Sequence, residues 1–144
     1  MIIQQQGNVA DHVQIAKDII KEFRKYDIKK IAYDSKYAIH AILPMLADEG
    51  YELDSGTGQG FALSAATVQT NEWMRNFHMD LMHNKVLYWN LANIVMHVGN
   101  DGDYYPSKGK SGNKIDLASA LLTAITGYLD SNSKPVFKPF VIAM

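Results

Sequence analysis

The sequence predicts a single α/β domain, and three observations lead there. Amphipathic helical patterns alternate with short extended apolar runs along the chain. Its 144 residues suffice for one buried core and exclude two full domains. A content of 47% hydrophobic and 20% charged residues is that of an ordinary globular chain rather than a disordered or fibrous one.

Between Asp11 and Tyr26, Val13, Ala16, Ile20 and Phe23 recur three or four residues apart with Ile19 beside them, while Lys17, Lys21, Glu22 and Lys25 fall elsewhere. This spacing predicts an amphipathic helix with Asn8 as a candidate N-cap. Ile31-Ala32-Tyr33 is too short for a helix and suits a buried strand that ends at Asp34. Ser35 can cap a second helix through Ala38, Ile39, Ile42, Leu43 and Leu46, stopped at Gly50, with a kink or break expected at Pro44. Tyr51-Glu52-Leu53 suits a short strand, and the glycine-rich stretch from Ser55 to Gly60 reads as a loop. A third helix is expected over about Thr67 to Met82, with Val68, Trp73, Phe77 and Leu81 on its buried side.

Asn93 to Val98 reads as a strand, and Gly99-Asn100-Asp101-Gly102 is a turn signal that pairs it in a hairpin with a second strand near Tyr104-Tyr105. The loop from Pro106 to Lys114 then carries lysines at 108, 110 and 114 and glycines at 109 and 112. Ile115 to Leu129 is apolar around most of its circumference through Leu117, Ala118, Leu121, Leu122 and Ile125, which predicts a helix buried on several sides. Ser131 to Pro135 reads as a linker-like break. The apolar residues 136–142 beyond it need a surface to dock on.

Several function classes drop out on composition. The chain has no cysteine, so disulfides, thiolate metal sites and cysteine nucleophiles are excluded, and any metal must be held by oxygen or imidazole. Lys and Arg total 14 against 15 Asp and Glu, so no global basic field advertises nucleic acid, and DNA would need a local patch. No apolar run approaches the ~18 residues of a membrane span. The first residues lack the pattern of a signal peptide, and the expected compartment is the cytoplasm.

Two acids stand out by position. Asp34 follows a short buried strand at its carboxyl end, where ligands gather in α/β sheets, and Asp116 opens a buried helix just after the lysine loop. Hard cations such as Mg²⁺ take one or two carboxylates together with water and substrate phosphate, and a pair from separate elements can supply them. The plain alternative is that both are helix N-terminal residues, favoured there by capping and the dipole. His12, His40, His78, His83 and His97 lack zinc-site spacing, and the glycines at 56, 58 and 60 follow no phosphate-binding pattern. Lys108, Lys110 and Lys114 could contact phosphates, or simply be solvated.

Ile31-Ala32-Tyr33-Asp34, Gly50-Tyr51-Glu52-Leu53, Gln59-Gly60-Phe61, Asn84-Lys85-Val86-Leu87-Tyr88-Trp89 with Asn93, and Lys108 through Lys114-Ile115-Asp116 with Ala118 and Ala120 form an ordered set. In order and spacing the set closely resembles the nuclease domain of tailed-phage terminase large subunits, over most of residues 7–130. The resemblance implies a ribonuclease H-like fold whose acids bind Mg²⁺ or Mn²⁺ and cut concatemeric double-stranded DNA during packaging. It further implies phage or prophage origin, a bacterial host cytoplasm and other packaging subunits as partners. The family's strand-ending tyrosine-aspartate motif falls on Asp34, and its lysine-isoleucine-aspartate motif at a helix head falls on Asp116. Both would then be catalytic metal ligands, with Lys108, Lys110 and Lys114 on the DNA.

In the family an earlier strand adds a first aspartate, and an ATPase motor precedes it. Before Asp34 this chain has only Asp11, Asp18, Glu22 and Asp27, all within or beside the first helical pattern. The expectation is a ribonuclease H-like nuclease fold lacking its first strands over residues 1–130, an apolar tail over 131–144, and Met1 to Gln6 as the remnant of an edge strand. The chain alone is expected to cut poorly or not at all. The rival reading is a non-catalytic prophage remnant that binds DNA or docks a packaging subunit through the lysine loop and the tail. Self-association through an unpaired sheet edge or the tail stays open. If the resemblance holds, Asp34 and Asp116 share one rim with carboxylates on the order of 4 to 8 Å apart, since paired metals sit about 4 Å apart.

Overall fold

The computed structural model describes residues 10–34, 36, 41–54 and 56–133. The first helix, α1 (His12–Phe23), begins where an Asp11 carboxylate oxygen accepts the Gln14 backbone N–H at 3.0 Å. The cap is thus Asp11 rather than Asn8, which lies outside the described residues. An aspartate here both satisfies an orphan donor and meets the positive end of the helix. Ala16 and Ile20 of α1 pack on Ile42 and Leu46 of α2 (Ile42–Asp48), with Ile31, Tyr51 and Leu53 against the same cluster. Pro44 breaks nothing, because α2 starts at Ile42 and a proline in the first turn forfeits no intrahelical bond. The proposed cap at Ser35 falls outside the described residues, and Ala41 precedes α2 without a side-chain bond.

Two extended segments run side by side beneath these helices. Ile31 N–H donates to Glu52 O at 2.8 Å, Asp54 N–H to Ile31 O at 2.8 Å, and Thr57 N–H to Tyr33 O at 2.7 Å. Ile31 is aligned parallel with Leu53 and Asp34 with Thr57, so the second segment carries one residue more between the two pairings. Gly56, at φ +87, supplies the bend that such a bulge needs. The glycine-rich stretch is therefore not all loop: Thr57 is buried and hydrogen-bonded into the pair. Lys30 fastens the segments further, 3.3 Å from Asp54 and 3.8 Å from Glu52.

Side chains alternate across an extended segment. Ile31 accordingly enters the α1–α2 cluster, while Ala32 faces Gly127 of α5 (Asp116–Ser133). On that side Leu122 and Ile125 of α5 pack on Leu63 and Ala66, at the start of α3 (Ser64–Arg75). The linker-like reading from Ser131 is corrected, since α5 runs on to Ser133. The polar side chains that suggested a break fold back on their own helix, Ser131 Oγ to Gly127 O at 2.8 Å and Asn132 Nδ2 to Tyr128 O at 3.0 Å. Residues 134–144, most of the expected tail, and Met1 to Gln6 lie outside the described residues.

Helix α3 also departs from expectation. It ends at Arg75; Phe77 is 94% exposed at φ +57 and Val68 is exposed, so neither belongs to the core. The buried face is Ser64, Ala66, Thr67 and Thr70. Threonines can line it because their hydroxyls are satisfied within the helix, Thr67 Oγ1 donating to Leu63 O at 2.7 Å and Thr70 Oγ1 to Ala66 O at 2.6 Å. Hydropathy spacing cannot see such internal pairing. Leu81 is buried as expected, but in the connection after the helix.

Asn84 caps α4 (Lys85–Ala92) by accepting the Leu87 N–H at 3.0 Å. The hairpin follows as expected, with β1 (Met96–Val98) antiparallel to β2 (Tyr104–Pro106), Met96 opposite Pro106 and Val98 opposite Tyr104. It starts later than the sequence suggests because Asn93 is the C-cap of α4. Among the described residues no helix is long and apolar enough to cross a membrane.

Candidate functional site

Asp34 stands where the first extended segment ends, half-buried, with a carboxylate oxygen accepting the Lys36 backbone N–H at 2.9 Å. That short turn points the carboxylate beyond the segment's carboxyl end. Asp116 is the first residue of α5, with its side chain 63% exposed. The two acids belong to elements that meet where Ala32 touches Gly127, and both line one cleft of about 600 Å³ together with Gln59, Lys108, Ser119 and Thr123.

Lys108 sits in the wall of this cleft. Its Nζ donates to Asp116 Oδ1 at 3.0 Å. The Asp116 pKa is lowered, first by that hydrogen bond and further by the positive charges of Lys108 and Lys114, against a partial rise from desolvation. The carboxylate is thus held ionised beside a cation already in contact with it. Lys110 and Lys114 are exposed on the same loop. The loop is built rather than slack: Ser107 N–H reaches Val95 O at 2.9 Å, Val95 N–H reaches Ser111 Oγ at 3.1 Å, and Ser111 Oγ donates to Ser107 O at 2.8 Å.

Helix α4 fixes where Asp116 stands. Asn90 is buried; its Nδ2 donates to Val86 O at 3.1 Å and its Oδ1 accepts the Leu117 N–H at 3.0 Å, an orphan donor of the first turn of α5. Asn93 Nδ2 donates to Lys114 O at 3.2 Å. Asn93 was visible in the motif set, whereas Asn90 was missed. The one available signal was a polar residue on the apolar run from Val86 to Leu91.

Asp34 and Asp116 are the two carboxylates that line this cleft. Among the described residues no group of three or more His, Asp or Glu side chains is arranged to hold a metal. His12, His78 and His83 are exposed, His97 packs its ring on Tyr105 and Phe61, and His40 lies outside the described residues.

A family model described as the terminase large subunit endonuclease domain matches residues 2–132. The chain belongs to that family. Among solved structures, this endonuclease-family chain is similar to the crystal structure of the HK97 bacteriophage large terminase, with a TM-score of 0.70 and 22% identity over 81% of this chain and 25% of that one. An identity that low speaks for the fold, and the chain spans a quarter of the terminase chain it matches. None of the curated proteins matches. The terminase assignment read from the ordered motifs is thereby established, as is a mixed helix and strand architecture like that terminase's.

Proposed function

We propose that this chain is a segment of a DNA-packaging terminase large subunit, with a ribonuclease H-like, metal-dependent endonuclease site built on Asp34 and Asp116. Double-stranded DNA is its substrate and other packaging subunits are its partners. The observation that carries the reading is the cleft shared by the two carboxylates in a chain of this family.

The donor set suits Mg²⁺ or Mn²⁺, which take one or two carboxylates and leave room for water and substrate phosphate. The Lys108 ammonium, 3.0 Å from Asp116, is a positive charge in the place where the reading puts an ion, and supports it to that extent. Bound ions of this kind activate water and neutralise charge growing on phosphorus. Asp34 and Asp116 would hold them, Asn90 and Asn93 would keep Asp116 in place, and Lys108 would be available to a phosphate oxygen.

Cutting by the chain alone is expected to be weak or absent. The experiment pairs Mn²⁺ titration with plasmid cleavage for the parent, Asp34→Asn and Asp116→Asn. The reading expects each substitution to weaken Mn²⁺ binding and to erase whatever metal-dependent cutting the parent shows. Unchanged Mn²⁺ affinity in both variants would overturn it. Robust parental cutting lost in Asp116→Asn would show instead that the site is complete. A non-catalytic DNA-binding module is the alternative, favoured if DNA binds while neither metal binding nor cutting is detected.

A further inference from the structure

Beside the cleft of Asp34 and Asp116 lies a second groove, of about 400 Å³, that shares Lys108 and Asp116 as its border and is otherwise lined by Trp89, Ser111, Gly112 and Lys114 among others. Nothing in the metal chemistry uses Trp89. The residue is nonetheless 48% exposed. The other tryptophan, Trp73, is instead packed edge-on to Tyr128 at 6.0 Å beside the core.

Hydrogen bonds tie the walls of the groove together. Trp89 belongs to α4, and the facing loop is tied to that helix through Asn93 and Lys114 and closed on itself through Ser107 and Ser111. Gly112 has open space where a side chain would stand, so backbone lies open to whatever enters. An exposed aromatic ring, a lysine and open backbone lining one groove are what a nucleic-acid strand recognises: a base stacks on the ring while its phosphate meets the lysine. A paired base has no free face except at a helix end, so such a groove selects unpaired nucleotides.

We infer that Trp89 and Lys114 form a subsite for a single unpaired DNA strand beside the cleft of Asp34 and Asp116. The assignment rests on the reading of the adjoining cleft as a nuclease site, and it adds the strand state of the substrate there. The groove holds a base on Trp89 and a phosphate on Lys114, and passes the strand to Lys108 at the border. It therefore favours duplexes with a frayed or overhanging end over blunt ones.

The test follows Trp89 fluorescence in a Trp73→Phe background, in EDTA, against a blunt duplex, the same duplex with a single-stranded overhang, and a thymidine oligomer. The expected result is quenching by the overhang and the oligomer and little by the blunt duplex. In the otherwise unaltered chain, Trp89→Ala should lose affinity for the overhang by on the order of tenfold, the worth of one stacked base, without changing the salt dependence. Lys114→Gln should lower the salt slope by about one. Absence of quenching by any DNA, or an equal loss on blunt and overhanging duplexes in Trp89→Ala, would overturn the inference. Because no metal is present, these outcomes are independent of the nuclease reading, which fails separately if Asp34→Asn and Asp116→Asn keep full Mn²⁺ affinity.

Discussion

Gly127 lies so close to Ala32 that a Cβ built on it would stand 2.7 Å from the Ala32 methyl and 3.1 Å from an Asp54 carboxylate oxygen. This contact lets α5 settle on the extended segment that ends at Asp34. On helix propensity alone, Gly127→Ala would stabilise the chain by about 1 kcal/mol. The contact reverses the sign: separating helix from segment should cost about 1 to 3 kcal/mol. Urea unfolding of Gly127→Ala beside the parent checks this, and a gain in stability would contradict the close approach.

Replacing Lys108 should free Asp116. Lys108→Gln is expected to tighten Mn²⁺ binding severalfold, the scale of an exposed ion pair, while weakening DNA. Calorimetric titration of the ion and a DNA-binding isotherm check both, and weaker ion binding in the variant would mean that Lys108 helps to hold the site.

The lysine loop gives a salt-dependence prediction. Lys108, Lys110 and Lys114 replaced together by Gln should lower the slope of log affinity against log salt by about 2 to 3, each phosphate contact contributing close to one. Binding at low and high salt to two unrelated DNA sequences reads this, with the loss expected to be equal on both.

Asn90→Leu removes the acceptor of the Leu117 N–H and strands that donor in a buried place. Stability should fall by about 1 to 3 kcal/mol. Mn²⁺ affinity should fall with it, since Asp116 precedes the orphaned residue. Thermal denaturation and ion titration of the same preparation check the two effects together.

The depressed pKa of Asp116 sets a pH dependence. The folded value lies below the ordinary 3.8, so the stabilisation is fully present above 3.8 and is lost as pH falls through the lower folded value. The amplitude is small, because the pair is exposed and solvent screens it. In a carboxyl-carbon titration by NMR, Lys108→Gln should move the Asp116 midpoint up toward 3.8, and an unmoved midpoint would refute the pairing.

Local chemistry made part of this molecule legible in advance. The periodicity of Val13 to Phe23, the turn after Val98 and the apolar run from Leu117 to Ile125 each carry their own signal, and each element formed. Asp34 and Asp116 stood out because strand ends and helix starts leave traces in composition. What stayed hidden depends on partners far along the chain or on pairing within a helix. The buried threonines of α3 look polar until their hydroxyls are counted against the carbonyls of Leu63 and Ala66. Asn90 looks like any polar residue until Leu117 arrives. The exposure of Phe77 follows from a left-handed backbone that no spacing rule anticipates.

Asp34 and Asp116 stand 82 positions apart in the chain, yet they border one cleft. Contacts of such long sequence separation form only after the loop entropy between them has been spent, which slows folding. Each acid is already seated by near neighbours, Asp34 by its turn to Lys36 and Asp116 by Lys108. The cleft itself exists only once α5 docks. The closing of this cleft is therefore a late event in refolding, expected after helical circular dichroism has recovered, and a half-folded chain does not yet bring the two carboxylates to one wall.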